Sequence, residues 1–307
     1  MRRESLAAYG IAPLSGALIT LMNLLNSRFS TLAGNLTATL VIHCVGLAAV
    51  SVILLARREK PRPGRAPFVY YLGGFVGVGT VFSSNYAFAA LGASLALSLA
   101  LFGQTAFSLA ADATGFLGRP KYPLALRRLP GIALAFAGIA LMAGSWRSEA
   151  FAKLAALASG VFIGLSSVLN AELGRRKGLL RSTRVNYIAG LATTLLIVAS
   201  LRPAFAPAAR GIEAAGPILA LGGGLMGVAV VTAMSFVFPR MAVFSATILI
   251  FGGQALAGIL LDLAAQGSLD LRKLIGTAVL LAGLALDSAL SQRSAPPRRG
   301  DASDTPN

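Results

Sequence analysis

Phe68–Ala111 is a run of 44 residues without one Asp, Glu, Lys or Arg. As a single helix it would be about 66 Å long, twice a hydrocarbon core of about 30 Å. As part of a soluble protein it would need polar helix faces that these residues do not supply. The run is therefore expected to cross a bilayer twice, turning at Ala90–Gly92. Two further uncharged runs, Thr31–Ala56 and Ile218–Pro239, also reach the roughly 20 residues that one crossing needs. Only 12% of the chain is charged, against about 25% in soluble proteins, and its mean hydropathy is +0.74. These features predict an all-α polytopic membrane protein with ten transmembrane helices.

The expected spans are 9–27, 35–56, 68–89, 92–111, 129–146, 154–171, 185–201, 217–238, 242–261 and 274–291, with Pro239-Arg240 as the turn before span nine. The N-terminus lacks a small-x-small cleavage site and leads straight into more spans, so it reads as a retained helix rather than a signal peptide. The net charge of +16 does not mark a nucleic-acid binder, because the Lys and Arg residues are scattered over short loops and do not form one face. With the N-terminus inside, cytoplasmic segments hold 20 basic residues and the other side 7. That bias predicts both termini in the cytoplasm. The richest cytoplasmic loops are 57–65 and Arg175–Arg184. The tail 292–307 is Pro- and Arg-rich and is expected to be a disordered cytoplasmic segment.

The strongest internal signal is a repeat. SGALITLMNLLNSRF (15–29) matches SGVFIGLSSVLNAEL (159–173), placing Asn26 on Asn170, and Gly46 falls on Gly190 at the same offset of 144. Gly77, Gln104 and Asp112 fall on Gly227, Gln254 and Asp262 at an offset of 150, and Gly131 and Gly138 on Gly276 and Gly283 at 145. The repeats are expected to span 9–146 and 154–291. Five is an odd number of spans, so the second repeat enters from the opposite side. The basic loops agree, since the dense one comes second in the first repeat and first in the second. The expected architecture is thus two inverted five-helix repeats, the plan of many secondary transporters.

Polar residues recur at matched positions inside apolar sequence. Asn26 and Asn170 stand near the ends of spans one and six, Gln104 and Gln254 inside spans four and nine. With His43, Ser83, Asn85, Tyr86 and Tyr187 they form the candidate lining of a substrate cavity. The alternative is interhelical hydrogen bonding, worth about 0.6–2 kcal/mol per contact. Gly73/Gly77 and Gly223/Gly227 are small-xxx-small pairs suited to close helix packing or to hinging. Asp112 and Asp262 lie about 12 Å beyond the glutamines, at the expected interfaces, where they read as helix-end groups or gates.

Enzyme chemistry finds no support. His43 and Cys44 are adjacent and point about 100° apart on a helix, so they make no metal pair, and no phosphate-binding loop is present. No cofactor or metal is expected. Cys44, the single cysteine, reads as a packing residue. Coupling to an ion gradient is left open between His43, Asp287 (the one acid inside an expected span) and plain facilitated diffusion.

The order of Asn26, Gly46, Gly73-Gly74…Gly77, Gly103-Gln104, Asp112 and the span PGIALAFAGIALM, repeated as Asn170, Gly190, Gly223, Gly227, Gly253-Gln254, Asp262, Gly276 and Gly283, resembles the YdcZ-like family of the drug/metabolite transporter superfamily in a fused two-unit form. The resemblance covers nearly everything from about Ile11 to Leu290. It implies a central cavity among spans one to four and six to nine, with spans five and ten at the edge. His43 departs from it, standing where the family tends to carry an aromatic residue, and the first repeat lacks the basic residues often found after the first Asn. The resemblance implies a secondary transporter of a small organic metabolite or drug-like compound in a bacterial inner membrane, with export favoured. The rivals are a non-transporting membrane scaffold or assembly protein and a lipid-carrier flippase. The expected partners are a small-molecule substrate and membrane lipid, with a homodimer left open and no nucleic acid.

Overall fold

A computed structural model of the chain describes residues 2–57, 62, 65–118, 126–143, 149–202, 205–237, 243–266 and 270–292. Ten α-helices run through them: α1 Arg2–Ala33, α2 Asn35–Arg57, α3 Gly73–Leu91, α4 Ala93–Thr114, α5 Leu129–Ala143, α6 Ala150–Lys177, α7 Leu179–Leu201, α8 Phe205–Val237, α9 Val243–Gln266 and α10 Leu271–Gln292. Helices α1, α2, α6, α7, α8 and the stretch Phe68–Leu91 carry windows long and apolar enough to cross a membrane; α4, α5, α9 and α10 carry shorter apolar runs. The protein is an all-α polytopic membrane protein. The Pro239-Arg240 turn and the tail after Gln292 lie outside the described residues.

Several helices outrun the expected spans. At 32 residues, α1 is about 48 Å long and extends beyond the hydrocarbon at one or both ends. The basic stretch Arg175–Arg184, expected as a loop, is the end of α6 and the start of α7, joined by Gly178 alone. Gly34 makes the same one-residue join between α1 and α2, at the equivalent position 144 residues earlier. Both have positive φ, 83° and 94°, which glycine adopts without steric cost. The same lengthening brings Asp112, Glu172 and Asp262 inside helices, so Asp287 is not alone. Lys153, counted with a loop in the charge tally, is buried at 1% exposure in the first turn of α6. In α8 the backbone breaks at Gly216-Pro217, the expected start of that span.

Contacts between equivalent helices fix the relative direction of the repeats. Along α5 and α10, Gly131 lies on Asp287, Ala135 on Gly283, Gly138 on Leu280 and Met142 on Gly276, an antiparallel register. Gly46 of α2 lies on Tyr187 of α7, and His43 on Gly190, again antiparallel. Ala93 of α4 meets Asp262 of α9, and Ser94 and Leu97 meet Gly258. Helices related by the repeat therefore run in opposite directions, and the second repeat is inverted with respect to the first. The operation relating them is a twofold axis across the helices, hence within the membrane plane.

The most extensive of the remaining contacts are exchanged between repeats. Helix α1 packs on α8 and α9 of the second repeat, and its mate α6 packs on α3 and α4 of the first. The largest apolar cluster gathers Phe88, Leu91, Leu97 and Leu99 of α3 and α4, Ile139 of α5, Ala156 of α6, Phe251 of α9 and Leu280 of α10.

Candidate functional site

Four glycine-lined crossings, in two equivalent pairs, hold the polar residues in place. At the first pair, Asn26 of α1 fills the notch left by Gly223 of α8, and Asn170 of α6 fills the notch of Gly73 of α3. In each case the amide Oδ1 occupies the space a Cβ would take. Both oxygens are buried without a conventional hydrogen bond. The backbone Cα–H groups facing them offer the weak contact that recurs at helix–helix interfaces. Each asparagine thus reaches a glycine of the opposite repeat.

The second pair brings α1 against α9 and α6 against α4. A methyl on Gly16 would strike the Ile250 carbonyl, and one on Gly253 the Pro13 carbonyl. A methyl on Gly160 would strike the Ala100 carbonyl, and one on Gly103 that of Leu157. Gln254 and Gln104 each follow the glycine of their own helix. Thr20 donates to the Gln254 carbonyl at 3.2 Å, tying that crossing. Both glutamine residues are half-buried.

On the axis itself, His43 and Tyr187 occupy equivalent positions of α2 and α7. Each ring fills the glycine notch beside the other, His43 on Gly190 and Tyr187 on Gly46, and the Tyr187 hydroxyl also abuts Gly227. His43 Nδ1 lies 2.7 Å from the Thr39 carbonyl. Gly77, the mate of Gly227, borders Asn186 and Ser166 at ordinary contact distance.

The notches are symmetric but the hydrogen bonding around them is not. Asn170 Nδ2 donates to Ser166 Oγ at 3.1 Å and to Asn186 Oδ1 at 2.9 Å. Ser166 donates to the Gly73 carbonyl and Ser182 to the Asn170 carbonyl. The equivalents of Ser166, Ser182 and Asn186 in the first repeat are Met22, Ala38 and Ile42, which cannot make this network. The first repeat uses other residues: Asn85 Nδ2 donates to Asn35 Oδ1 at 3.1 Å, Asn35 to the Phe82 carbonyl and Ser27 to the Asn85 carbonyl. Asn85 thus ties α3 to α1 and α2. Ser83 is half-buried beside it, and Tyr86 is exposed, meeting Phe151 edge to face at 5.3 Å.

Asp262 is a helix cap, though not of its own helix. Its carboxylate accepts from the Ala93 and Ser94 amides at 3.0 and 3.2 Å and from the Ser94 hydroxyl, capping α4 of the opposite repeat. Gly92, at φ 77°, ends α3 and directs the chain into this cap. The Asp112 side chain lies outside the described residues. Asp287 is buried at 7% exposure beside an apolar slot between α4, α5 and α10 that Phe102, Thr105 and Leu284 help to line.

Sequence reasoning missed Gly16/Gly160 and Gly34/Gly178, although both pairs recur at the offset of 144. It also passed over Asn35, Ser166 and Ser182. No repeat signal marks these last three, because their equivalents are apolar or small.

Two segments of the chain, 7–141 and 151–286, match the family model described as "Putative inner membrane exporter, YdcZ". A solved structure described as "Crystal structure of protein" has a TM-score of 0.58 at 19% identity, covering 95% of this chain and 99% of that one, a likeness of fold. No curated protein matches the sequence.

Proposed function

Because the chain belongs to the YdcZ family of drug/metabolite-type transporters, we propose that it is a secondary transporter moving a small organic metabolite or drug-like compound across a bacterial inner membrane, in the export direction and with both termini in the cytoplasm. The observation that carries this reading is the antiparallel meeting of three equivalent helix pairs, α2 with α7, α4 with α9 and α5 with α10. Two inverted copies can exchange conformations, so that a site near the axis opens first to one side and then to the other. The exchanged packing suits that motion, since α1 and α6 each move against two helices of the other repeat. Asn26, Asn170, His43, Tyr187 and Asn85 serve in this reading as packing and tying groups that carry the rearrangement. Gln104 and Gln254 are the substrate contacts, two half-buried amides at equivalent depth.

The test is thermal stabilisation of the purified protein across a metabolite library, followed by flux of the stabilising compound in liposomes with and without a pH gradient. A stabilising compound that is carried across supports the reading, and gradient dependence of the flux identifies proton coupling. A protein stabilised by no compound and passing none is a scaffold.

A further inference from the structure

We propose that the end of the bundle where α6 meets α7 is a binding site for an anionic phospholipid, whose headgroup phosphate is held by arginines from two separate parts of the chain. Arg62 Nη1 donates to the Arg175 carbonyl at 3.5 Å, joining the segment after α2 to the end of α6. The Arg176 guanidinium lies over the Tyr70 ring at 5.3 Å, and Tyr70 sits in the 3-10 helix Phe68–Leu72 that leads into α3. Leu54, one turn before the end of α2, shares an apolar cluster with Leu180 at the start of α7. These contacts gather Arg57, Arg62, Arg65, Arg175, Arg176 and Arg184 at one end, all exposed. Glu172, the acid on the last turns of α6, is taken up by Arg175 at 2.8 Å.

A charge bias alone would scatter cations over this face. Here the Arg175 carbonyl holds Arg62 and the Tyr70 ring holds Arg176, so two cations are anchored through consecutive residues at the end of α6. Such an array is stable when an anion lies among them, and the planar guanidinium fork matches a phosphate in two-point fashion. The neighbouring apolar side chains identify the anion's source. Phe68 is 77% exposed and Leu179 42%, at the same end as the arginines. A soluble phosphate gains nothing from them, whereas a lipid offers acyl chains below its headgroup.

The purified full chain, incubated in detergent with equal amounts of phosphatidylglycerol and phosphatidylcholine, is examined by native mass spectrometry. The expected result is preferential retention of phosphatidylglycerol, falling about fivefold per arginine removed in R62Q/R176Q. The same fall is expected in R65Q/R184Q, which keeps both anchoring contacts and serves if the first variant does not fold. R202Q/R210Q, at the far end of α7 and the beginning of α8, should leave the preference intact. Equal retention of the two lipids, or equal loss in R202Q/R210Q, overturns the proposal. Displacement of the lipid by excess inorganic phosphate overturns it too, by making the ligand a soluble anion. The result does not depend on whether the protein transports anything.

Discussion

His43 and Tyr187 occupy equivalent positions of the two repeats and meet edge to face, with ring centroids 6.0 Å apart and planes at 72°. Each also fills the glycine notch beside the other. The repeat relationship and the physical contact coincide at this point, so the twofold axis passes between two named side chains. The imidazole at position 43, where the other repeat carries the Tyr187 phenol, also places Nδ1 2.7 Å from the Thr39 carbonyl.

Gly190→Ala puts a methyl into the His43 ring. Overpacking of this kind is expected to cost about 1–3 kcal/mol, read as a lower melting temperature in detergent. His43→Ala in the same chain should restore most of the loss. A single variant as stable as the parent would remove the notch argument at the axis.

Asp262→Ala deletes the cap on α4. The expected loss is about 0.5–2 kcal/mol. It should also be local: amide hydrogen exchange should accelerate at Ala93 and Ser94 and stay unchanged along Gly131–Met142. Uniform acceleration through both segments would show that Asp262 acts on the whole bundle instead.

Gln104→Ala with Gln254→Ala is expected to abolish flux while membrane expression and monodispersity persist. Neither backbone crossing is touched by these changes, because Gly16 and Gly160 pack on main-chain atoms of the same helices. Full flux in the double variant would take both amides out of the substrate path.

Orientation can be read by labelling. In a Cys44→Ser background, Leu201→Cys at the end of α7 should react with an impermeant maleimide in intact cells, and Leu179→Cys at its start only after lysis. The reverse pattern would place both termini outside.

Much of the architecture was legible because inversion leaves two marks in a sequence, a repeated set of residues and a swapped set of charged loops. Gln104 with Gln254, and Gly131 with Gly276, showed which helices correspond. The position of Gly92 followed from the length of an uncharged run. Contacts were less legible, for a physical reason. Equivalence says that Asn26 corresponds to Asn170, and it is silent about Asn26 reaching Gly223 while Asn170 reaches Gly73. Those partners are set by the exchange of helices between repeats, a property of assembly rather than of either copy. The helix ends were also hidden, since α6 and α7 continue through charged sequence beyond the apolar run and only Gly178 interrupts them. The Asn35–Asn85 tie carries no repeat signature because the second repeat has Leu179 where the first has Asn35.

The swap of α1 onto α8 and α9 also dictates the order of assembly during synthesis. Thr20 bonds to Gln254, 234 residues later in the chain. At roughly 5–20 residues per second the ribosome needs on the order of 10–50 s to deliver that partner. Throughout that interval the nascent first helix sits in lipid with its Gly16 notch unfilled and Asn26 without the glycine it packs on, so the insertion machinery handles an incomplete bundle until nearly the last span has emerged.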